Sequence, residues 1–428
     1  MPTNRGNTSN LLQALQSGGP TLMFKIVGML LSYAVLFFIT NTFGAEIYGR
    51  YAIVITVGQV AALVLTLGFP MLIVKLLNDK KHYESGLKTN FLTKIFRLSF
   101  VLGVSFSVVF YFTAEAIATH VFGDINYKEF IESISLFFVP LLFHELFLGY
   151  FKGLKSFTKH NVFLFLLPST LFFAWYFTLK EIITSNHVIV LSFGLSITTI
   201  FLLESIFFLK KKVILPLKNI KTSFLIKEAF PMMYSAIMLY LLNWTDIFML
   251  ESMKSSTDVG IYNAAFKIAS ICFVFITAIN IVISPKIAEY YNNADIKNMH
   301  KTIVSYTRFI TYLTLPVFLI IIFFGDYILG FFGAEFIQGS TALSIIVTGI
   351  FFSALSGNVD QVLIMTRYQK VFGRIVFGGF VLNVILNLIL IPTYGINGAA
   401  IASLATNVLL NFTCIYFIKK KLGFYTFI

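Results

Sequence analysis

Apolar and polar positions fall in long alternating blocks along this chain. Runs of roughly 20 apolar residues, the length a helix needs to cross a bilayer, recur near 22–43, 51–74, 95–113, 130–151, 162–179, 188–209, 230–250, 261–284, 303–324, 341–364, 371–391 and 396–418. Short polar joints separate them. In hydrocarbon a backbone N–H or C=O finds a partner only within its own segment, so each run predicts a helix. The pattern predicts an all-α polytopic membrane protein of about 12 transmembrane helices. The first run is too long for a signal-peptide core and is expected to be a retained span.

Charge gives these runs a direction. The joint after the second run carries Lys75, Lys80, Lys81, Lys88, Lys94 and Arg97. The next joint carries Glu115, Asp124, Glu129 and Glu132 against Lys128. Of the 32 Lys and Arg, the acidic-side joints hold only Arg50, Lys128, Lys180 and Lys254, and Lys267 lies inside a run. Basic joints face the cytoplasm, which predicts that both termini are cytoplasmic.

Composition agrees with this reading. Residues are 57% hydrophobic and only 12% charged, against about 25% charged in a soluble chain. The net charge of +13 is accounted for by anionic headgroups on the basic side, so no nucleic-acid partner is expected. Cys272 and Cys414 both lie inside apolar runs, and no disulfide framework or metal site follows from them.

The basic connector from Lys210 to Lys227 divides the chain into halves of six spans, 1–214 and 215–428. A weak repeat supports the division. The first hairpin reads Gly44-Ala45-Glu46-Ile47-Tyr48-Gly49-Arg50-Tyr51-Ala52, and its counterpart reads Ser255-Ser256-Thr257-Asp258-Val259-Gly260-Ile261-Tyr262-Asn263. Gly49 aligns with Gly260, and Tyr51 with Tyr262. Glycine suits a tight entry into a helix, and tyrosine suits the membrane interface. Two parallel halves are a recurring transporter plan.

Ionisable and polar residues within spans mark candidate sites, because charge in hydrocarbon is costly. Lys267 and Asp246 lie at similar depth on two helices joined by one short turn. They either line a cavity, with Lys267 offered to an anionic substrate, or form a structural ion pair. Asn263, Lys267, Ser270, Thr277 and Ser284 share a helix face, and Asn243 shares one with Asp246. Asn383 with Asn387, and Ser403, Asn407 and Asn411, form further stripes, either interhelical glue or a hydrated, sugar-compatible wall. Lys25 and Arg308 sit near span starts, where they snorkel or offer a positive entrance for phosphate. Asp360, beside Gln361, is a further candidate, with Arg367 or Arg374 as its expected partner. His144, Glu145 and Glu204 read as mainly interfacial, with a proton relay as the alternative for His144 and Glu145. Prolines within or at the ends of spans, such as Pro70, Pro231, Pro285, Pro316 and Pro392, predict kinks.

Two stretches resemble the hairpins of bacterial polysaccharide flippases of the O-antigen and capsule type. One is 41–52 followed by Leu67-Gly68-Phe69-Pro70; the other is Asp246-Ile247-Phe248-Met249-Leu250 followed by 258–265. Ser284-Pro285-Lys286 and the run 394–402 fit as well. These flippases belong to the superfamily of multidrug and toxin extruders and lipid II flippases. The resemblance covers essentially the whole chain. It implies two six-helix lobes around a central cavity, set in the bacterial inner membrane. It also implies movement of an undecaprenyl-pyrophosphate-linked oligosaccharide from the cytoplasmic to the outer leaflet. Cavity cations hold the pyrophosphate in such families, and Lys267, Lys25 and Arg308 are the candidates here. A coupling ion, H+ or Na+, and other glycan-assembly membrane proteins are the implied partners; no cofactor is expected. The chain departs from lipid II flippases in having fewer than their fourteen spans. It departs from many multidrug extruders in lacking an Asp in span one.

Two other readings compete. An ion-coupled multidrug exporter of the same superfamily is the nearer one, although a lysine-rich cavity repels cationic drugs. A glycan polymerase or ligase is the other. Against an enzyme stand the short acidic-side joints, the missing GxxxxGK[ST] phosphate loop and the absence of a Ser-His-Asp or metal cluster.

Overall fold

The computed structural model describes residues 5–78, 88–210 and 221–427, with side chains from residue 23 onward except at 88–90, 210, 235, 236, 239 and 281. Lys80, Lys81, most of the basic connector and the expected boundary at 214/215 lie outside the described residues. The described chain is all-α. Eight stretches are long and apolar enough to cross a membrane. The longest, Met23–Leu65 with 43 residues and Gln369–Leu422 with 54, exceed one crossing of about 20. Each is broken by a glycine with non-helical angles, Gly44 (φ 78°, ψ 178°) and Gly395 (φ 56°, ψ −131°). Both therefore count as two spans. The helix Thr222–Met253 and the bent pair Tyr127–Ser135 and Phe138–Gly153, angled by 53°, bring the set into line with the expected topology.

Several spans are less regular than the apolar runs suggest. The second stops at Leu65, turns through Leu67 and Gly68 with positive φ, and resumes as Phe69–Asn78. The eighth is broken at Ser270 into Ser256–Ala269 and Ile271–Asn292. The tenth ends at Ser356, turns through Gly357 and Asn358, and continues as Val359–Met365. The fifth contains a π-helical turn, Val162–Leu166. Prolines were the expected kink sites, yet the helices run on through Pro231, Pro285 and Pro316. Glycines at Gly44, Gly68, Gly357 and Gly395 supply positive φ at several of the breaks, where an L side chain is strained.

The chain forms two compact units. One comprises Gly44–Gly49 and Leu241–Ile428; the other comprises Met23–Phe43 and Arg50–Tyr240. Thus the tip of the first hairpin packs with the second-half helices, while its two arms pack with the first-half helices. In the first-named unit, Ile283, Ile287, Met299, Ile303, Val362 and Cys414 belong to a buried cluster joining four spans. In the other, phenylalanines dominate. Phe96, Phe143, Phe147, Phe201 and Phe208 pack with ring centroids 5.2–6.4 Å apart. Edge-on and offset ring pairs of this kind add stabilisation beyond their buried area.

Ion pairs outside the spans differ in weight. Arg50 is buried and donates to Asp124 Oδ2 from Nε at 3.1 Å and from Nη2 at 2.8 Å. Lys128 donates to Glu115 at 2.8 Å, but both are exposed. That ammonium holds the Glu115 carboxyl below its ordinary range, while solvent and salt screen the pair. Asp124→Ala is therefore expected to cost about 2–4 kcal/mol, because it strands a buried guanidinium. Glu115→Gln should leave the unfolding midpoint almost unchanged. Thermal melts of the two detergent-solubilised variants check the contrast.

Candidate functional site

The polar centre of the unit Gly44–Gly49 plus Leu241–Ile428 is built on Asp246. Its helix, Thr222–Met253, turns into Ser256–Ala269 through a capped start. Ser255 Oγ accepts the Asp258 N–H at 3.2 Å, and Asp258 lies in the first turn, where a negative charge is favoured. This hairpin sets Tyr262 beside Asp246. The break at Gly395 folds the two arms of Gln369–Leu422 so that Asn387 and Ser403 reach the same carboxylate.

Asp246 is only 2% exposed. Its Oδ2 accepts hydrogen bonds from the Tyr262 hydroxyl at 2.6 Å and from the Ser403 hydroxyl. Its Oδ1 accepts from Asn387 Nδ2 at 2.7 Å, and the same amide donates to Asn383 Oδ1 at 3.1 Å. Neutral donors thus compensate this carboxylate. Asn387 Oδ1 is buried without a hydrogen-bond partner. The oxygens gathered here are carboxylate, amide, hydroxyl and phenol. That donor chemistry fits a proton or a hard cation.

A second group surrounds the tip of the first hairpin. The Ala45 N–H donates to Glu335 Oε1 at 2.6 Å. The Tyr48 hydroxyl donates to Asn263 Oδ1 at 2.5 Å, and both residues are buried. Lys267, partly buried, places its Nζ 5.7 Å from the Tyr48 ring centroid, within reach of a cation–π attraction. Gly49 and Gly260, aligned by the repeat, meet backbone to backbone. A Cβ on Gly49 would fall 1.7 Å from the Ser256 carbonyl oxygen, and one on Gly260 would fall 2.1 Å from that of Ala45.

The remaining candidates separate. Asn243 is exposed, as is Arg308, and Lys25 is partly buried in the other unit. Asp360 accepts from Gln361 Nε2 at 2.9 Å, not from either expected arginine. Arg367 donates instead to Asn292 at 3.4 Å. Arg374 lines a mostly apolar groove of about 490 Å³ with Ile375, Leu410 and Phe417. The span-eight stripe is largely self-satisfied: Ser270 donates to the Lys267 carbonyl, Thr277 to Val274, and Ser284 to Asn280 and Gln361. Ser353, Asn407 and Asn411 bond one another across two helices, the glue reading of that stripe.

One contribution escaped the sequence reading, and another was read only in part. Glu335 sits just outside a span, and its only signal was an acidic residue soon after Gly333. His144 and Glu204, read as interfacial, are buried together; His144 Nδ1 lies 3.1 Å from each Glu204 oxygen.

An all-α, multi-pass membrane protein with buried carboxylates and a lysine on broken spans has the build of a transporter. The matches to known proteins give the family. The model described as "Polysaccharide biosynthesis protein" matches residues 14–291, more than half of the chain, and the MatE model matches residues 231–389. The chain belongs to the polysaccharide biosynthesis protein family, the one its hairpin motifs resemble. A probable low-salt glycan biosynthesis flippase of Haloferax volcanii is 27% identical over 197 residues, 44% of this chain and 42% of that protein. An uncharacterized membrane protein of Methanocaldococcus jannaschii is 26% identical over 195 residues, 45% of each. The chain thus matches less than half the length of these curated relatives. Among solved structures, an inward-facing multidrug resistance MATE family transporter of the MOP superfamily gives a TM-score of 0.78 at 12% identity. That match covers 94% of this chain and 98% of that one. The lipid II flippase MurJ, in an inward closed conformation, gives 0.70 at 14% identity, covering 94% and 86%. At such identities the likeness is one of fold.

The glycine contact is directly testable. Gly260→Ala places a methyl against the Ala45 backbone, which has no rotamer with which to yield. It should cost about 1–3 kcal/mol and loosen the hairpin tip. Disulfide trapping between Tyr48→Cys and Asn263→Cys is expected to slow when Gly260→Ala is added. Unchanged trapping would show that the seam absorbs the methyl.

Proposed function

We propose that this protein is a flippase for an undecaprenyl-pyrophosphate-linked oligosaccharide, moving it from the cytoplasmic to the outer leaflet by alternating access, without enzymatic chemistry. The bacterial inner membrane is its proposed site, with both termini cytoplasmic. Lys267 carries the reading. It is a partly buried ammonium within a membrane span, next to the amide of Asn263 and the ring of Tyr48. A cation supplies attraction for pyrophosphate, and the adjoining amides and phenol suit sugar hydroxyls. The family match and the relative named as a glycan flippase support the same substrate class. Lys25 and Arg308 are proposed as entrance cations and Asp360 as an accessory polar group.

Asp246 is proposed as the coupling site, for H+ or Na+. Four neutral side chains could hold the group in either state, because hydroxyls and amides serve as donors to the carboxylate or, through their oxygens, as ligands to a cation. An ion-coupled multidrug exporter is the second reading, favoured by the buried Asp246 and by the MatE match over the same helices.

Two experiments decide. In proteoliposomes carrying a short-sugar undecaprenyl pyrophosphate, wild type should move the lipid, and Lys267→Ala should slow it by roughly tenfold or more, about 1.4 kcal/mol in the barrier. Lys267→Arg should recover part of the rate. Equal movement by Lys267→Ala would demote the lysine to structure, whereas export of cationic dyes without lipid movement would favour the second reading. Asp246→Asn keeps the shape and most hydrogen bonds of the site. Its flipping rate is expected to lose its response to an imposed Na+ or pH gradient, while its melting point stays near that of wild type.

A further inference from the structure

The unit Met23–Phe43 plus Arg50–Tyr240 contains a buried acid–base pair that the proposed substrate path does not use. His144 lies on Phe138–Gly153 and Glu204 on Val188–Lys210. His144 is 6% exposed and Glu204 0%. The imidazole Nδ1 stands 3.1 Å from both carboxylate oxygens, a fork that one N–H shares between two acceptors.

The two helices that carry the pair also carry a phenylalanine cluster. Phe143 and Phe147 flank His144 on its own helix, and Phe201 and Phe208 flank Glu204 on the other. Phe96 of Lys88–Phe112 packs on Phe143, Phe147 and Phe208. Other ionisable groups are few. Glu145, adjacent in sequence, and His160 of Phe157–Asn161 act electrostatically on His144. From the helices packed around it, Lys75 is paired with Glu228 at 2.7 Å, and Lys159 lies 4.3 Å over the Phe207 ring. Lys94 is partly exposed, and Arg97 and Lys152 are exposed.

Such a pair is poorly explained as glue. Taking two ionisable groups out of water costs more than their attraction reliably returns, and apolar replacements of similar volume often serve as well. Phenylalanines already supply the packing here. An ionisable pair kept at this depth points to function. Close by, His160 Nδ1 meets the Leu148 carbonyl at 3.2 Å, and the π-helical turn Val162–Leu166 follows directly. π-turns are frequent at functional sites and locally loosen the helix ladder.

We propose that His144 and Glu204 form a proton-binding site, separate from Asp246 and lodged wholly within this unit. The protonated pair is neutral, as imidazolium with carboxylate or as imidazole with carboxylic acid. Release of one proton to water leaves imidazole beside carboxylate, with net charge −1, and uptake reverses it. Burial disfavours the charged pair, so proton exchange is tied to moments when the site meets water.

Infrared difference titration of the purified full-length protein tests this without any transport substrate, so its failure leaves the flippase reading untouched. Carboxyl and imidazole bands are followed together. Wild type should show one coupled titration between about pH 5 and 8. Glu204→Gln should remove the carboxyl component and lower the imidazole titration by about one pH unit or more, and His144→Asn should shift the carboxyl titration by a similar amount. Should a single variant misfold, the apolar double variant His144→Phe/Glu204→Leu replaces it. That variant should fold, since nothing charged is left stranded, and should lack the titration. A coupled carboxyl–imidazole titration that survives Glu204→Gln or the double substitution, or a wild-type pair silent across that range, overturns the proposal.

Discussion

Hydrocarbon offers no partner to a peptide N–H or C=O, and every helix of this protein answers that constraint. The same scarcity governs the side chains. A carboxylate inside such a bundle must collect its own donors, and Asp246 does so from three helical arms. Glu204 collects a single imidazole. One carboxylate therefore sits among neutral groups that reorient easily, while the other is matched to a base. The two arrangements differ chemically: one is a carboxylate held by hydroxyls and an amide, the other a carboxylate paired with a base.

Helix breaks decide where these groups meet. Gly395 turns one long apolar helix into two arms that close on Asp246. Gly44 frees the hairpin tip to pack with the second-half helices, where Ala45 is held by Glu335 and Tyr48 by Asn263. The absence of a Cβ at Gly49 and Gly260 lets the two backbones touch. The repeat detected between those hairpins is thus also a contact, with each copy supplying the space that the other requires. Arg50, the next residue along, returns to its own unit through Asp124. The hairpin tip is consequently tied at both ends by polar contacts of known geometry.

Lys267 shows how a single charge can be read two ways until its neighbours are known. An ion pair with Asp246 would have made both residues structural. The carboxylate is satisfied elsewhere, and the ammonium lies on the Tyr48 ring. In the proposed function this intramembrane lysine is the group that meets the pyrophosphate.

The sequence by itself determined the class and much of the plan. Apolar run length specifies spans because bilayer thickness is fixed, and the order of the hairpin motifs specified the family. It also placed Asp246, Asn387 and Ser403 on inward-reading stripes, since helical periodicity is local. Which stripe faces which could not be read from one chain, because a polar residue in a span is equally suited to glue or to a site. Asn407 and Asn411 became glue, Asp360 found its neighbour Gln361, and Arg374 turned to a groove. His144 and Glu204 looked interfacial because distance from a span end measures depth, not lateral burial. Residues far apart in sequence come together only when helices pack, so tertiary structure alone decided which charges are paired and which remain available.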